Sequence, residues 1–311
     1  THFNALFGAV NIDNHGIEDV VVIALGGADT IAIADLFPTE VVALNLNLGA
    51  ADGAIDSVTL NGRALSDILL ISNPVAGSVL VAGLRYNVTV SNAEIADTLT
   101  VNGNDGDDRI AVASGANAVL ALTLSGNDGN DNLDASTTTT AGAIVFNGGA
   151  GRDTIIGGFG DDQIAGGADE DSLVGGPGND TFDGGTGFDT ILVRGTLGND
   201  IIDILQTADV TLLETVNGVV ETDTLALVAG TRTVERVSVV ADAGNDTIRV
   251  QWADSLGTDA NVNSLRVDVD GGAGSTGDRL GVVDLGTGDL ILHEQGTTND
   301  SGAMAIAPLQ R

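Results

Sequence analysis

The chain lacks cysteine and lysine entirely, and it has few aromatic side chains in its 311 residues. Without cysteine, disulfides contribute nothing to stability. One tyrosine and one tryptophan, Tyr86 and Trp252, provide no stacking platform for bases or sugars. The longest apolar runs, such as residues 20–25 and 79–84, are far too short to span a bilayer. These absences argue against a disulfide scaffold and against insertion into a membrane.

The basic charge of the chain is very small compared with its acidic charge. Eleven arginines face 44 acidic residues, which gives a formal net charge of −33. A compact state with this charge repels itself, so bound cations are expected to neutralise it, and metal binding then contributes to folding. The same charge excludes nucleic acid and anionic membranes as partners.

Residues 148–192 consist of five consecutive nonapeptides of the form Gly-Gly-x-Gly-x-Asp-x-U-x, where U is a large apolar residue. The sixth-position aspartates are Asp153, Asp162, Asp171, Asp180 and Asp189. The eighth-position apolar residues are Ile155, Ile164, Leu173, Phe182 and Ile191. A nonapeptide cannot bury its own apolar side chain, so these units are stable only when they stack. The alternative, a series of solvated turns, does not account for a fixed spacing of nine.

One nonapeptide departs from the pattern, because Asp169 stands where the fourth-position glycine belongs. If this position requires a positive φ, aspartate tolerates it better than most residues, at a modest cost. The third repeat is therefore predicted to be a weaker site than its neighbours.

The nonapeptide motif resembles the repeats-in-toxin (RTX, haemolysin-type) calcium-binding family. The resemblance implies an all-β fold, a right-handed parallel β-helix or β-roll solenoid with calcium-binding turns, and Ca²⁺ as the cofactor. It also implies that two nonapeptides form one coil, so that Asp153 lies over Asp171, Asp162 over Asp180, and Asp171 over Asp189. Calcium takes six to eight oxygen ligands, and aspartate carboxylates and the carbonyls of glycine turns supply this type of ligand.

A longer repeat organises the rest of the chain. It is a cassette in which an acidic residue and a strand lead, eleven residues later, to a turn aspartate. The five cassettes run from Glu18 to Asp29, Asp56 to Asp67, Asp97 to Asp108, Asp189 to Asp200, and Glu235 to Asp246. Turn aspartates also recur 22–23 residues apart, in the series 108–131–153 and 200–223–246. We interpret each such interval as one coil of a parallel β-helix.

Further metal ligands are predicted outside the nonapeptides. Asp108 and Asp131 keep the sixth-position aspartate and the fourth-position glycine, and Asp105 and Asp128 add an oxygen at the third position. Asp200 and Asp246 are also candidates, with a purely structural ladder of side chains as the alternative. Asp29 is interpreted as structural.

Three modules are predicted: an N-terminal β-solenoid over 1–94, a central RTX calcium-binding β-roll over 95–192, and a C-terminal β-solenoid over 193–311. Their boundaries are soft, because solenoid coils contact only their neighbours and no Pro-rich or Ser-rich linker interrupts the chain. The two ends read as cut points in a longer protein.

No catalytic machinery stands out in the sequence. His2, His15 and His293 lie near the ends in unremarkable contexts, and no Gly-x-Ser-x-Gly motif marks a serine nucleophile. With 44 acidic residues, a pair of carboxylates at a suitable separation arises by chance. We therefore expect no intrinsic enzyme activity.

The order of cassettes and nonapeptides also resembles that of large bacterial RTX-type surface proteins. This resemblance implies an extracellular, type I-secreted chain that serves as a structural or adhesive module of a fibre, surface layer or matrix. Its expected partners are calcium ions and either copies of itself or other surface proteins. Two alternatives remain open: a calcium-dependent carbohydrate-binding module that holds polysaccharide, and a folding and secretion segment of a larger exported enzyme or toxin.

Overall fold

The computed structural model describes residues 16, 18–49 and 52–194 in full, and beyond Arg194 it describes individual strands. Side chains are described there only at 236–240, 247, 248 and 268. The chain forms two compact units, Thr1–Asp162 and Gln163–Arg311. The division into three modules stays a prediction.

The described part of unit 1 is almost entirely β-structure. A single 3-10 turn, Ala116–Ala118, lies between two of its strands. The strands are β1 (Asp19–Ile23), β2 (Thr30–Ile33), β3 (Ala43–Asn47), β4 (Ser57–Asn61), β5 (Ile68–Ser72), β6 (Ser78–Ala82), β7 (Asn87–Ser91), β8 (Thr98–Asp105), β9 (Arg109–Val112), β10 (Ala121–Asp128), β11 (Asn132–Asp134), β12 (Ile144–Ala150) and β13 (Thr154–Ile156).

Two sheets of mostly parallel strands make up unit 1. One has the order β1-β3-β7-β6-β5-β9-β11-β13, and the other the order β2-β4-β8-β10-β12. In the second sheet Thr98 pairs with Ala121, and Leu122 pairs with Ile144, so successive coils are 23 and 22 residues long. The coil predicted from the spacing of Asp108, Asp131 and Asp153 is therefore confirmed, as is the parallel β-solenoid class.

The strands form because apolar and polar residues alternate along them, which places one set of side chains inside. In β8, Leu99 and Val101 are buried while Thr98 and Thr100 are partly exposed. All five eighth-position residues of the nonapeptides are buried: Ile155, Ile164, Leu173, Phe182 and Ile191. Within each unit the short strands thus bury apolar side chains that no single repeat could bury alone.

One strand of unit 1 runs against the others. Strands β5, β6 and β7 form an antiparallel meander in which β6 pairs with both neighbours. β7 is parallel to β3, and β5 is parallel to β9. The chain therefore inserts one reversed strand into the sheet between two stretches of regular parallel coils.

The cassettes of the sequence correspond to repeated half-coils. Strands β4 and β8, which follow Asp56 and Asp97, pair with Ser57 opposite Thr98. Strands β5 and β9, which follow Asp67 and Asp108, pair with Ile68 opposite Arg109. Equivalent cassette positions thus lie side by side, as expected for one structural unit used again.

Unit 2 is also built of strands. They are β14 (Gln163–Ala168), β15 (Ser172–Val174), β16 (Thr181–Thr186), β17 (Thr190–Arg194), β18 (Ile201–Gln206), β19 (Val210–Val216), β20 (Val219–Leu225), β21 (Leu227–Val228), β22 (Thr231–Arg232), β23 (Arg236–Val240), β24 (Thr247–Trp252), β25 (Arg266–Asp270), β26 (Arg279–Asp284), β27 (Ile291–Glu294) and β28 (Ala305–Ile306). The sheet orders are β15-β17-β23-β25-β27 and β14-β16-β20-β19-β18-β24-β26-β28, with β21 and β22 forming a separate pair.

The nonapeptide coil is confirmed within unit 2. Gln163 pairs with Thr181 and Ser172 with Thr190, in parallel strands. Each partner lies 18 residues further along the chain, so two nonapeptides form one coil, as the family resemblance implies.

The coil predicted from the series 200–223–246 is wrong. Strands β18, β19 and β20 are antiparallel, and residue 223 lies within β20 opposite Leu212. The sequence between β19 and β20 is Asn217-Gly218, a dipeptide that favours a two-residue hairpin over a coil turn. Unit 2 thus repeats the meander of unit 1, because β20 is parallel to the earlier β16 and β18 to the later β24.

Candidate metal centre

The sixth-position aspartates lie at the point where each turn leads into a strand, and their side chains are buried. Seven of them are at most 3 % exposed: Asp108, Asp131, Asp153, Asp162, Asp171, Asp180 and Asp189. An ionised carboxylate is costly to bury unless hydrogen bonds or a cation compensate its charge. The contacts of each oxygen therefore decide what the turn can hold.

In four of these carboxylates, Oδ1 accepts a hydrogen bond from the backbone N–H of another turn aspartate. The backbone N–H of Asp67 donates to Asp108 Oδ1 at 2.6 Å, that of Asp108 to Asp131 Oδ1 at 2.7 Å, and that of Asp131 to Asp153 Oδ1 at 2.8 Å. In unit 2 the Asp171 N–H donates to Asp189 Oδ1 at 2.9 Å. We call the series Asp67, Asp108, Asp131 and Asp153 the aspartate ladder.

The other oxygen has a different environment. Within the described residues, Asp108 Oδ2 and Asp131 Oδ2 are buried and accept no hydrogen bond. Each lies against the first glycine of its own turn, because a Cβ added at Gly103 or Gly126 would overlap that oxygen. The added Cβ at Gly103 would also lie 2.9 Å from the Gly126 carbonyl oxygen, so oxygens converge there from two coils.

The same arrangement recurs in the nonapeptides of unit 2. Added Cβ atoms at Gly166 and Gly175 would overlap Asp171 Oδ2 and Asp180 Oδ2. The Gly184 carbonyl oxygen would lie 2.7 Å from the Cβ added at Gly166. Carboxylate and carbonyl oxygens held close together by side-chain-free turns are the donor set that Ca²⁺ takes. The residues therefore fit a calcium ion.

The fourth position of each of these turns has a positive φ. The angle is 118° at Gly106, 144° at Gly129, 147° at Gly178 and 77° at Asp169. Asp169 thus also has a positive φ, although a smaller one than the glycines. The position is also crowded by the neighbouring coil, because a Cβ added at Gly187 would overlap the Asp169 carbonyl oxygen.

Asp162 differs from the other ladder-type carboxylates. Its Oδ1 accepts the Ile144 N–H at 2.8 Å, and its Oδ2 accepts the N–H of Gly158 from its own turn at 2.9 Å. Both oxygens therefore already have backbone donors. Gly158, at the second position of this turn, does not have a positive φ. The second-position glycines of the other four nonapeptides do: Gly149, Gly167, Gly176 and Gly185.

Burial alters the acidity of these groups. It raises the pKa of Asp108 to about 6, and the neighbouring Asp131 and Asp67 charges add to the rise. Burial likewise raises the pKa of Asp162 to about 6 and shifts that of Asp131 upward. The protein interior thus disfavours these carboxylates as isolated anions, and a cation would favour them.

The predicted third-position ligands occupy the surface of the turns. Asp105 and Asp128 are exposed and lie opposite each other in strands β8 and β10. The Asp128 carbonyl oxygen accepts the Gly106 N–H at 2.7 Å. Asp200 and Asp246 lie outside the described residues.

A second ladder, at the fifth position, was missed from the sequence. The Asp107 N–H donates to Ser66 Oγ at 3.1 Å, and the Asn130 N–H donates to Asp107 Oδ1 at 2.8 Å. The Arg152 N–H then donates to Asn130 Oδ1 at 2.9 Å. The recurrence of Ser, Asp and Asn just before each turn aspartate was the available signal.

Side chains alone do not provide a complete metal site in the described part of the chain. No group of three or more aspartates, glutamates or histidines is close enough there to hold an ion. Each turn contributes one buried carboxylate, so the remaining ligands must be carbonyl oxygens or water. This is the expected composition of a glycine-rich calcium turn.

The described part of the chain contains no helix with the length and apolar character needed to span a membrane.

The fold and these turns together define a parallel β-solenoid with a calcium-binding module. Residues 100–119, 123–137, 145–173 and 160–191 match four copies of the RTX calcium-binding nonapeptide repeat. Residues 100–191 are therefore an RTX segment, and the predicted family and cofactor, Ca²⁺, are confirmed. The match includes the turns of Asp108 and Asp131, beyond the five regular nonapeptides. RTX repeats are structural calcium-binding repeats and are not a catalytic family.

Searches of curated proteins and of solved structures gave no significant match to the chain.

Proposed function

We propose that the chain is a calcium-stabilised structural or adhesive module of a long, type I-secreted bacterial protein, and that it has no enzyme activity of its own. Outside the cell it would contribute to a fibre, surface layer or matrix through protein–protein contacts. The observation that carries the proposal is the pair of buried carboxylate oxygens, Asp108 Oδ2 and Asp131 Oδ2, that have no hydrogen-bond partner in the described structure.

The contacts of these carboxylates support the proposal that calcium binds at the turns. Oδ1 of Asp108 and of Asp131 joins two coils through a backbone N–H, so Oδ2 is the atom that can bind an ion. The carbonyl oxygens of Gly126 and Gly148 lie near the first glycine of the preceding turn. When bound, Ca²⁺ would neutralise the buried charge and hold adjacent turns together. Asp153, Asp171, Asp180 and Asp189 would act in the same way. Asp162, whose two oxygens both accept a backbone N–H, would be a weak site in addition to the one predicted for the third repeat.

The surface of unit 1 favours protein contacts over carbohydrate binding. On β5, Ile68 and Leu70 are 75 % and 45 % exposed, whereas Leu69 and Ile71, which alternate with them, are buried. Leu65, in the turn before β5, is 63 % exposed. Polysaccharide binding would instead call for a row of exposed aromatic rings, and in unit 1 the exposed Phe37 and Phe159 lie in separate loops.

Calcium counting with matched variants tests the assignment. Asp108→Asn and Asp131→Asn keep an Oδ1 acceptor for the ladder but replace the carboxylate charge with an amide. We expect each variant to bind about one calcium ion fewer than wild type. Asp19→Asn is the control, because Asp19 is exposed and the substitution removes the same charge.

Bound calcium is measured on equilibrated protein by elemental analysis, and folding by circular dichroism during a calcium titration. Equal calcium counts in the three variants and wild type would refute the assignment. The structural role has a separate test, electron microscopy and sedimentation of the calcium-loaded protein. A strictly monomeric particle that binds an acidic polysaccharide would favour the carbohydrate-binding alternative.

A further inference from the structure

The turn that begins the aspartate ladder differs from those that follow it. Asp67 is buried, and its N–H donates to Asp108 Oδ1 at 2.6 Å, as in the later rungs. Gly62 stands at the first position, and a Cβ added there would lie 2.7 Å from Asp67 Oδ2 and 2.6 Å from the Gly103 carbonyl oxygen. The second position, however, is an arginine, Arg63.

Arg63 donates hydrogen bonds to both oxygens of the Asp67 carboxylate. Its Nε donates to Asp67 Oδ1 at 2.5 Å, and its Nη2 lies 2.5 Å from the same oxygen. Its backbone N–H donates to Asp67 Oδ2 at 2.7 Å, and Nη2 also donates to the Ser66 carbonyl oxygen at 3.1 Å. Both oxygens of Asp67 thus have protein donors, whereas in Asp108 and Asp131 only Oδ1 has one.

The topology explains why Asp67 needs such a partner. In the later turns, Oδ1 accepts an N–H from the aspartate of the preceding coil. Strand β5, which follows Asp67, borders the antiparallel β6 on that side, so the described part of unit 1 offers no equivalent rung before Asp67. Arg63 supplies the missing donor and, with its guanidinium, a positive charge beside a buried carboxylate.

We propose that the Arg63 guanidinium, bound to Asp67 Oδ1, supplies in this turn the positive charge that calcium supplies through Oδ2 in the following turns, and so marks the end of the calcium-binding series. This inference rests on the proposed function. The coil of β4 and β5 is then independent of calcium. Asp97 agrees with this division, because its Oδ1 accepts the Asp56 N–H at 2.9 Å and its Oδ2 accepts the Glu94 N–H at 2.6 Å.

Hydrogen exchange and calcium counting of Arg63→Gln test the inference. In chelator, wild-type β5 is expected to stay protected, and the substitution should lower its protection by about a hundredfold or more, because it leaves a buried carboxylate without its cation. With calcium, the variant should regain protection and bind about one ion more than wild type. Arg109→Gln on the neighbouring β9 is the control, since Arg109 is exposed. Its hydrogen-exchange protection of β5 and its calcium count should both match those of wild type.

Several results would overturn the inference. They are an unprotected β5 in wild-type protein with chelator, an unchanged calcium count in Arg63→Gln, or a variant that calcium fails to refold. A double variant, Arg63→Gln with Asp67→Asn, removes both charges and should bind the wild-type number of ions. A wild-type protein that binds no calcium would refute the proposed function instead, and the protection of β5 in chelator would still decide the role of Arg63.

Discussion

The chemistry of the calcium turns depends on single carboxylates in which the two oxygens have different roles. In Asp108 and Asp131, Oδ1 accepts a backbone N–H from the preceding coil, while Oδ2 has no partner within the described structure. One atom therefore fixes the stacking of the coils, and the other is available to an ion. An asparagine substitution would preserve the hydrogen bond that stacks the coils and abolish most of the ion binding. It therefore separates the two roles experimentally.

At this scale we predict that calcium binding competes with protons. Burial raises the pKa of Asp108 and of Asp162 to about 6, from the ordinary value of 3.8 for an aspartate side chain. In calcium-free protein the protonated forms are favoured, so their contribution to stability is present below the unfolded pKa and is lost as the pH rises through about 6. Apparent calcium affinity should therefore fall between about pH 7 and pH 5, with proton release on binding near pH 6.

Titration calorimetry in buffers of different ionisation enthalpy measures that proton release. Asp108→Asn should reduce it, whereas the exposed Asp19→Asn should leave it unchanged. Calcium affinity that is constant across this pH range would contradict the prediction.

At the scale of the element, the turn is a stack of glycines on carbonyl oxygens. A Cβ added at Gly129 would overlap the Gly106 carbonyl oxygen, and one at Gly151 would overlap that of Gly129. The crowding acts between coils, so it adds to any local backbone strain. It restricts the fourth position to residues that tolerate positive φ and also to those that fit the neighbouring coil.

Gly129→Ala is predicted to lower the free energy of unfolding by roughly 1–3 kcal/mol more than Gly26→Ala. Both glycines have a similar positive φ, 144° and 132°, but an added Cβ at Gly26 meets only the end of the Asp52 side chain, at 3.0 Å. The difference therefore isolates the contact between coils. Denaturant unfolding of the calcium-loaded variants measures it, and equal losses would show that backbone strain alone matters.

The sequence predicted the elements that are encoded locally. The buried eighth positions and the coil lengths of 22 and 23 residues follow from short motifs, and the coil of 18 residues is the one that the family resemblance implied. The meanders β5–β7 and β18–β20 were missed, because alternating apolar residues fit an antiparallel partner as well as a parallel one. Partner choice depends on residues far away in the chain. The role of Arg63 was missed for the same reason, since its meaning appears only when Asp67 lies beside Asp108.

At the scale of the whole molecule, a charge of −33 opposes the compact state. We predict that chelator expands the RTX segment, residues 100–191, and that calcium compacts it. Magnesium at the same concentration should be much less effective, because it requires near-octahedral geometry and gives up its water reluctantly. Small-angle scattering with circular dichroism tests this.

The chelated protein should retain only the β-signal of its calcium-independent coils, such as that of β4 and β5. Full β-structure in excess chelator would contradict both the expansion and the need for calcium. Such a calcium-dependent change suits a chain that is exported unfolded and meets abundant calcium outside the cell.

The two ladders run in opposite directions, and this constrains how the chain can change in length. At the sixth position an N–H donates forward to the next coil, whereas at the fifth position the later N–H donates back to the earlier side chain. Removing one complete circuit lets the flanking circuits join with the same contacts, but removing part of one leaves donors and acceptors mismatched on both faces. Adding or removing a whole circuit in this segment therefore leaves both ladders intact, and proteins of many lengths can be assembled from a single part.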